Sequence, residues 1–103
     1  MQIGIIGCGQ LARMLALAGW PLGLKFSFLA EPGDSGDCVL GLGNLVSMPD
    51  GFEKMSAVAL AEKVYLALDK PNVITFEKES GPVDLLEALK THCAVYPDHK
   101  AVR

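Results

Sequence analysis

Gln2-Ile3-Gly4-Ile5-Ile6-Gly7-Cys8-Gly9-Gln10-Leu11-Ala12 is the stretch that decides the fold. Its first half is short, apolar and β-branched through Ile3, Ile5 and Ile6, the composition of a buried strand. Gly7-Cys8-Gly9 is a turn, and from Gln10 to Ala18 the spacing of Leu11, Met14, Leu15 and Ala18 predicts a helix with one apolar face. Gly19 is a natural stop and Pro21 prevents continuation. The six residues Gly7 to Ala12 fit G-x-G-x-x-G/A, placed after a strand and opening a helix. The first glycine permits the tight turn, the second lets backbone approach a ligand, and Ala12 lets helix and strand pack closely. N–H groups at a helix start can hold an anion or a polar ligand edge.

Outward from this unit the same alternation repeats. Lys25–Leu29 reads as a second strand ending in the turn Glu31-Pro32-Gly33. The glycine-rich stretch from Asp34 to Asp50 has no sustained period and reads as a loop with one or two short strands near Val39 and Leu45. A helix is expected from Ser56, a plausible cap, to Leu68, with Ala57, Leu60, Ala61, Val64 and Leu68 along one side. Asn72–Phe76 is a strand. Pro82–Lys90 is a helix with proline in its first turn, an early acid (Asp84) and a late base (Lys90). Ala94-Val95-Tyr96 is a last strand, and Pro97-Asp98 begins another helix. Strands alternating with helices over short links imply a mainly parallel sheet covered on both faces, with right-handed crossovers. The expected class is therefore α/β, a Rossmann-like three-layer domain.

Composition bounds the function. The chain has 103 residues, enough for one domain and one modest core. Half of it is hydrophobic (50%) and a fifth charged (20%), which places it outside the disordered range. A net charge of −3 argues against nucleic acid, whose binders carry a basic face, and no polybasic segment suits an anionic membrane. Apolar runs are broken well short of the ~20 residues of a membrane span. No basic segment precedes Ile3, so a signal peptide is not indicated and the cytoplasm is the expected location. Cys8, Cys38 and Cys93 are far apart, with no Cys-x-x-Cys pair. Buried or half-buried thiols are expected rather than a metal site or a disulfide.

Two places carry binding chemistry. One is the glycine turn, with Gly9, Gln10 and Leu11 at the helix start. Glu31 follows ~20 residues on, where a dinucleotide fold places its ribose-binding acid. That pattern alone leaves a nicotinamide or flavin cofactor open. The other is Thr75-Phe76-Glu77-Lys78-Glu79, at the carboxyl end of a strand, where ligands in open α/β sheets bind. Glu77 is expected to face the crevice of the glycine turn and to accept hydrogen bonds from a substrate. Glu79 reads as a solvated loop acid. Arg13 is most simply a helix-surface charge, with an anion contact open to it. Trp20 reads as a packing residue, and Lys25, His92 and His99 as exposed. No Ser-His-Asp or Cys-His grouping, phosphate loop or H-E-x-x-H motif is present, so no residue is expected to act as an activated nucleophile.

Gly7-Cys8-Gly9-Gln10-Leu11-Ala12-Arg13-Met14, followed by Ala18-Gly19 and Pro21-Leu22-Gly23, resembles the opening of the 5-(carboxyamino)imidazole ribonucleotide synthetase family. These are the ATP-dependent subunits of phosphoribosylaminoimidazole carboxylase in purine biosynthesis. Val73-Ile74-Thr75-Phe76-Glu77-x-Glu79 resembles the family's second signature, and Val95-Tyr96-Pro97 its lead into the next domain. The resemblance spans nearly the whole chain and is weakest from Asp34 to Lys54. It implies a pre-ATP-grasp domain over residues 1–97, with 98–103 starting the connection to an ATP-grasp domain. It also implies that ATP activates bicarbonate as carboxyphosphate, which the amine of aminoimidazole ribonucleotide captures. ATP and Mg are then bound mainly outside these residues, and no catalytic residue and no metal ligand lies within them. Residues matching Gly9, Gln10, Leu11 and Glu77 help hold the ribonucleotide, and the complete enzyme is a homodimer. If further domains cover one face, this chain exposes apolar surface and self-associates. Three positions depart from the family pattern: Ser80 for its usual Asn, Lys78 for an aromatic residue, and Glu31 for Asp. Gln10-Leu11 favours this family over sister ATP-grasp enzymes such as the formate-dependent glycinamide ribonucleotide transformylase, which carry Glu at that position. An NAD-linked oxidoreductase domain and a stand-alone regulatory module stay open as rivals from other classes.

Overall fold

The computed structural model describes residues 1–30, 33, 35–76 and 83–96. Five strands, β1 (Gln2–Ile6), β2 (Lys25–Ala30), β3 (Asn44–Ser47), β4 (Val73–Phe76) and β5 (Ala94–Tyr96), alternate with three α-helices. These are α1 (Gln10–Gly19), α2 (Ala57–Ala67) and α3 (Val83–Leu89). The sheet order is β3-β2-β1-β4-β5, and every pairing is parallel. The expected α/β class, with a parallel sheet between helical layers, is what the chain adopts.

The order reverses at β1. From β1 the chain moves one way to β2 and β3, then returns past β1 to β4 and on to β5. Crossovers of one hand must then place helices on opposite faces. The two cores follow this division. On one face Ile5, Phe26 and Phe28 bury against Ala12 and Ala16 of α1, with Cys8 and Val39 closing the cluster. On the other, Ile6, Leu29, Ile74, Phe76 and Val95 bury against Leu60, Ala61, Val64 and Leu68, around α2, and against Leu85 and Leu89 of α3. Parallel register supplies the alternation. Ile5 pairs with Phe28 and points one way, while Ile6 pairs with Leu29 and points the other.

Helix ends follow local chemistry. Ser56 caps α2 by accepting the Ala59 N–H at 3.2 Å, as its hydroxyl predicts. After α1, a 3-10 turn at Trp20–Leu22 starts with Pro21 near its first position and ends at Gly23 with φ 80°. Of the one or two short strands expected between Asp34 and Asp50, one forms, near Leu45, and none near Val39. Asp37–Val39 is a 3-10 turn that carries Val39 into the α1 core, and the third strand is the one near Leu45. The helix expected from Pro97-Asp98 lies outside the described residues.

The face of α1 departs from expectation. Its buried positions are Ala12, Ala16 and Gly19, whereas Leu11, Met14, Leu15, Leu17 and Ala18 are exposed. The cause is steric. Phe26 and Phe28 stack with ring centroids 6.3 Å apart and fill the space above β2, so only small residues fit over them. A Cβ on Gly19 would lie 2.5 Å from Phe26 Cζ.

Candidate functional site

The crevice of an open parallel sheet opens at the carboxyl ends of the strands, where the order reverses. Here that point lies between β1 and β4. Ile6, the last residue of β1, pairs with Phe76, the last of β4. The two strands therefore end at the same rim, β1 leading into Gly7.

The β1 side is built by backbone. Gly7 has φ 127°, a conformation that L side chains rarely adopt, and its N–H donates to the Leu29 carbonyl at 2.9 Å. This turns the chain off the sheet at once. Cys8 is buried under the turn against the α1-side core. Gly9 is extended (φ −91°, ψ −157°), and its carbonyl accepts the Arg13 N–H at 3.1 Å, which starts α1. No side chain caps the helix there. Torsion does not require glycine at position 9. Gln10 and Leu11 follow at the helix start, and both are exposed.

Of the residues singled out in the sequence, Gly9, Gln10 and Leu11 stand together at this rim. Glu77, Glu79 and the alternative acid Glu31 lie outside the described residues, as do Lys78 and Ser80. What is observed beside them is that Phe76 and Ala30, which precede Glu77 and Glu31, end strands of the same sheet on either side of β1. Arg13 is exposed, as expected of a surface charge. Its Nη1 donates to the Cys38 carbonyl at 3.3 Å and so ties α1 to the loop after β2. That partner lies 25 residues along the chain, and no local signal in the sequence points to it.

Trp20 is half exposed rather than enclosed, and its indole N–H donates to the Leu42 carbonyl at 3.0 Å. Lys25 and His92 are exposed, the latter stacked on Tyr65 with centroids 4.8 Å apart, and His99 lies outside the described residues. None of the three cysteines is in a disulfide, Cys8 being buried and the others partly so, and burial pushes the Cys93 thiol up. Among the described residues, no group of three or more His, Cys, Asp or Glu side chains gathers to hold a metal ion. No helix among them is long and apolar enough to cross a membrane.

Among the described residues, Arg13 is the basic side chain closest in sequence to the turn, and its guanidinium is directed to a carbonyl.

The family profile described as the ribonucleotide synthetase preATP-grasp domain matches residues 1–103. The N5-carboxyaminoimidazole ribonucleotide synthase of Pseudomonas aeruginosa is 38% identical over 103 residues, covering 100% of this chain and 26% of that protein. The crystal structure of N5-carboxyaminoimidazole ribonucleotide synthetase from Thermus thermophilus superposes with a TM-score of 0.74 at 36% identity. That match covers 97% of this chain and 25% of that one. An N5-carboxyaminoimidazole synthase from Aspergillus clavatus, solved with ADP and 5-aminoimidazole ribonucleotide, shares the fold with a TM-score of 0.66 at 20% identity. It covers 99% of this chain and 25% of its own. The chain thus spans about a quarter of the length of the relatives it matches, and the matches favour the ligase reading over the nicotinamide one. A profile matched from the first residue to the last, joined to 38% identity over the same span, makes this chain a member of the ribonucleotide synthetase preATP-grasp domain family.

Proposed function

We propose that this chain is the ribonucleotide-holding, amino-terminal part of an ATP-dependent carbon–nitrogen ligase of de novo purine biosynthesis. The ligase carboxylates the amine of 5-aminoimidazole ribonucleotide with bicarbonate. The observation that carries this is the rim at the strand-order reversal. The Gly7–Gln10 turn leaves β1 where Ile6 pairs with Phe76, the residue before Glu77, in a chain whose relatives bear that activity in their names.

In this reading residues 1–97 form the domain and 98–103 lead toward an ATP-grasp domain. The Gly9 backbone, the Gln10 amide and the Leu11 side chain border the ribonucleotide, and the Glu77 carboxylate accepts hydrogen bonds from its amino or hydroxyl groups. Their contribution is proximity and orientation: they hold the reacting amine in place and perform no bond chemistry. Glu31 is an alternative acid for this contact, and Arg13 acts by holding the loop at Cys38. ATP, with Mg, supplies the activation of bicarbonate, and both are held mainly outside these residues. The complete enzyme is a homodimer working in the cytoplasm.

Steady-state kinetics of the complete enzyme test the assignment. Glu77→Gln should raise KM for aminoimidazole ribonucleotide about tenfold or more, since a hydrogen bond to a charged group contributes ~1.5–3 kcal/mol, and Gln10→Ala should raise it about two- to tenfold, since one between neutral groups contributes ~0.5–1.5 kcal/mol. KM for ATP and for bicarbonate should stay within about twofold, as neither variant touches their site. An unchanged KM for the ribonucleotide in both variants would remove these residues from its site.

A further inference from the structure

A cavity of about 530 Å³ opens at the amino ends of the strands, opposite the rim where β1 and β4 stop. Gln2, Lys25 and Asn44, the first residues of β1, β2 and β3, stand along it, and Asp69 joins them from the turn before β4. Trp20, Leu24 and Phe26 supply its apolar lining. All of its lining residues lie among those described. Its volume falls within the ~300–1,000 Å³ of small-molecule sites.

The walls are tied in place by the fold. The Trp20 indole N–H donates to the Leu42 carbonyl at 3.0 Å, joining the turn after α1 to the segment before β3. Gly43 of that segment is pressed against β2, where a Cβ would run into the Phe26 carbonyl. Gln2 donates from its side-chain amide to the Ser27 hydroxyl at 2.7 Å. Walls held in this way lose little freedom when a ligand enters. The charges, by contrast, are not spent on the fold. Among the described residues, neither the Lys25 ammonium nor the Asp69 carboxylate has an ion-pair partner. Asp69 also stands at φ 64°, the left-handed conformation that glycine adopts at least cost after a helix. Backbone strain of this kind collects at ligand sites.

We propose that this cavity binds a small zwitterion, a free α-amino acid with an apolar side chain. The ligand's carboxylate pairs with Lys25, its ammonium with Asp69, and its side chain lies against Trp20 and Leu24. One cation, one anion and an apolar wall complement such a molecule in charge and in surface. A polyanion is not matched, because a single lysine beside a carboxylate offers it no net attraction. The Asn44 amide, both donor and acceptor, completes the polar lining. The cavity lies at the far end of the strands from the ribonucleotide rim, and its occupancy does not depend on that reading.

Trp20 is the one tryptophan of the 103-residue chain, so tryptophan emission reads this cavity directly. L-Leucine should shift that emission saturably, with a Kd at or below about 1 mM. Isoamylamine, which is leucine without its carboxylate, and isocaproate, which is leucine without its amine, should each bind about tenfold or more weakly, having lost a charge-assisted contact. Lys25→Gln should weaken leucine binding about tenfold or more and leave isoamylamine binding unchanged. Asp69→Asn, which keeps a residue tolerant of that backbone conformation, should weaken leucine binding equally and leave isocaproate binding unchanged. The proposal is overturned if leucine gives no saturable response up to about ten millimolar, or if either truncated probe binds as tightly as leucine. It is equally overturned if either variant binds leucine as the parent chain does. The probe comparison needs no variant, so it decides the matter even where a substitution prevents folding.

Discussion

At Gly19 two effects of a methyl group oppose each other. Alanine favours a helix over glycine by ~1 kcal/mol. A Cβ there would, however, stand 2.5 and 2.8 Å from two ring carbons of Phe26, which is buried and stacked on Phe28. The clash wins, and Gly19→Ala should lower stability by about 1–3 kcal/mol, read from the midpoint of urea unfolding. Cys93 gives a second expectation at this scale. Burial holds its thiol protonated above the ordinary range. Its alkylation in the folded protein should therefore need higher pH than in urea-unfolded chain. The sign for stability follows from the same shift. The unfolded thiol ionises first, so the stability contributed by the protonated form is complete below the unfolded pKa. It is lost as pH rises through the folded one. Matching pH–rate profiles for folded and unfolded Cys93 would count against this.

At the scale of an element, α1 shows that the largest apolar side chains need not mark the buried face. Ala16 is fully buried, and Met14 is mostly exposed. Ala16→Leu should therefore cost about 1–3 kcal/mol or more through overpacking, while Met14→Gln should change stability by no more than ~0.5 kcal/mol. Thermal melts of the two variants separate the stripes, and an equal loss in both would restore the face that spacing first suggests. Helix α2 behaves differently. Of its expected stripe, Leu60, Ala61, Val64 and Leu68 are buried and Ala57 partly so, because it packs with α3 over the opposite face of the sheet, away from the stacked rings.

For the whole molecule, the arrangement predicts a division of labour. The described part has no metal cluster, its Arg13 is tied to a carbonyl, and the chain's net charge of −3 opposes a polyphosphate. Calorimetric titration of this chain alone with ATP and Mg should give no saturable heat up to about millimolar ligand, near the weak limit of about −4 kcal/mol of binding free energy. Micromolar binding would move the nucleotide onto this domain.

The sequence by itself determined the order of strands and helices, the parallel class and the glycine turn. These rest on period, β-branching and backbone freedom, which act within a few residues. It also marked Gln10 and Leu11 as neighbours of that turn. Only the tertiary structure decided which stripe of α1 meets the sheet, that Val39 enters the core from a 3-10 turn, and that Arg13 reaches Cys38. Each depends on what lies opposite, on stretches of chain well removed in sequence: two stacked phenylalanines take up the room, and the helix above them turns to its smallest side chains. Apolar periodicity reports that a face will be covered, and packing alone chooses the cover.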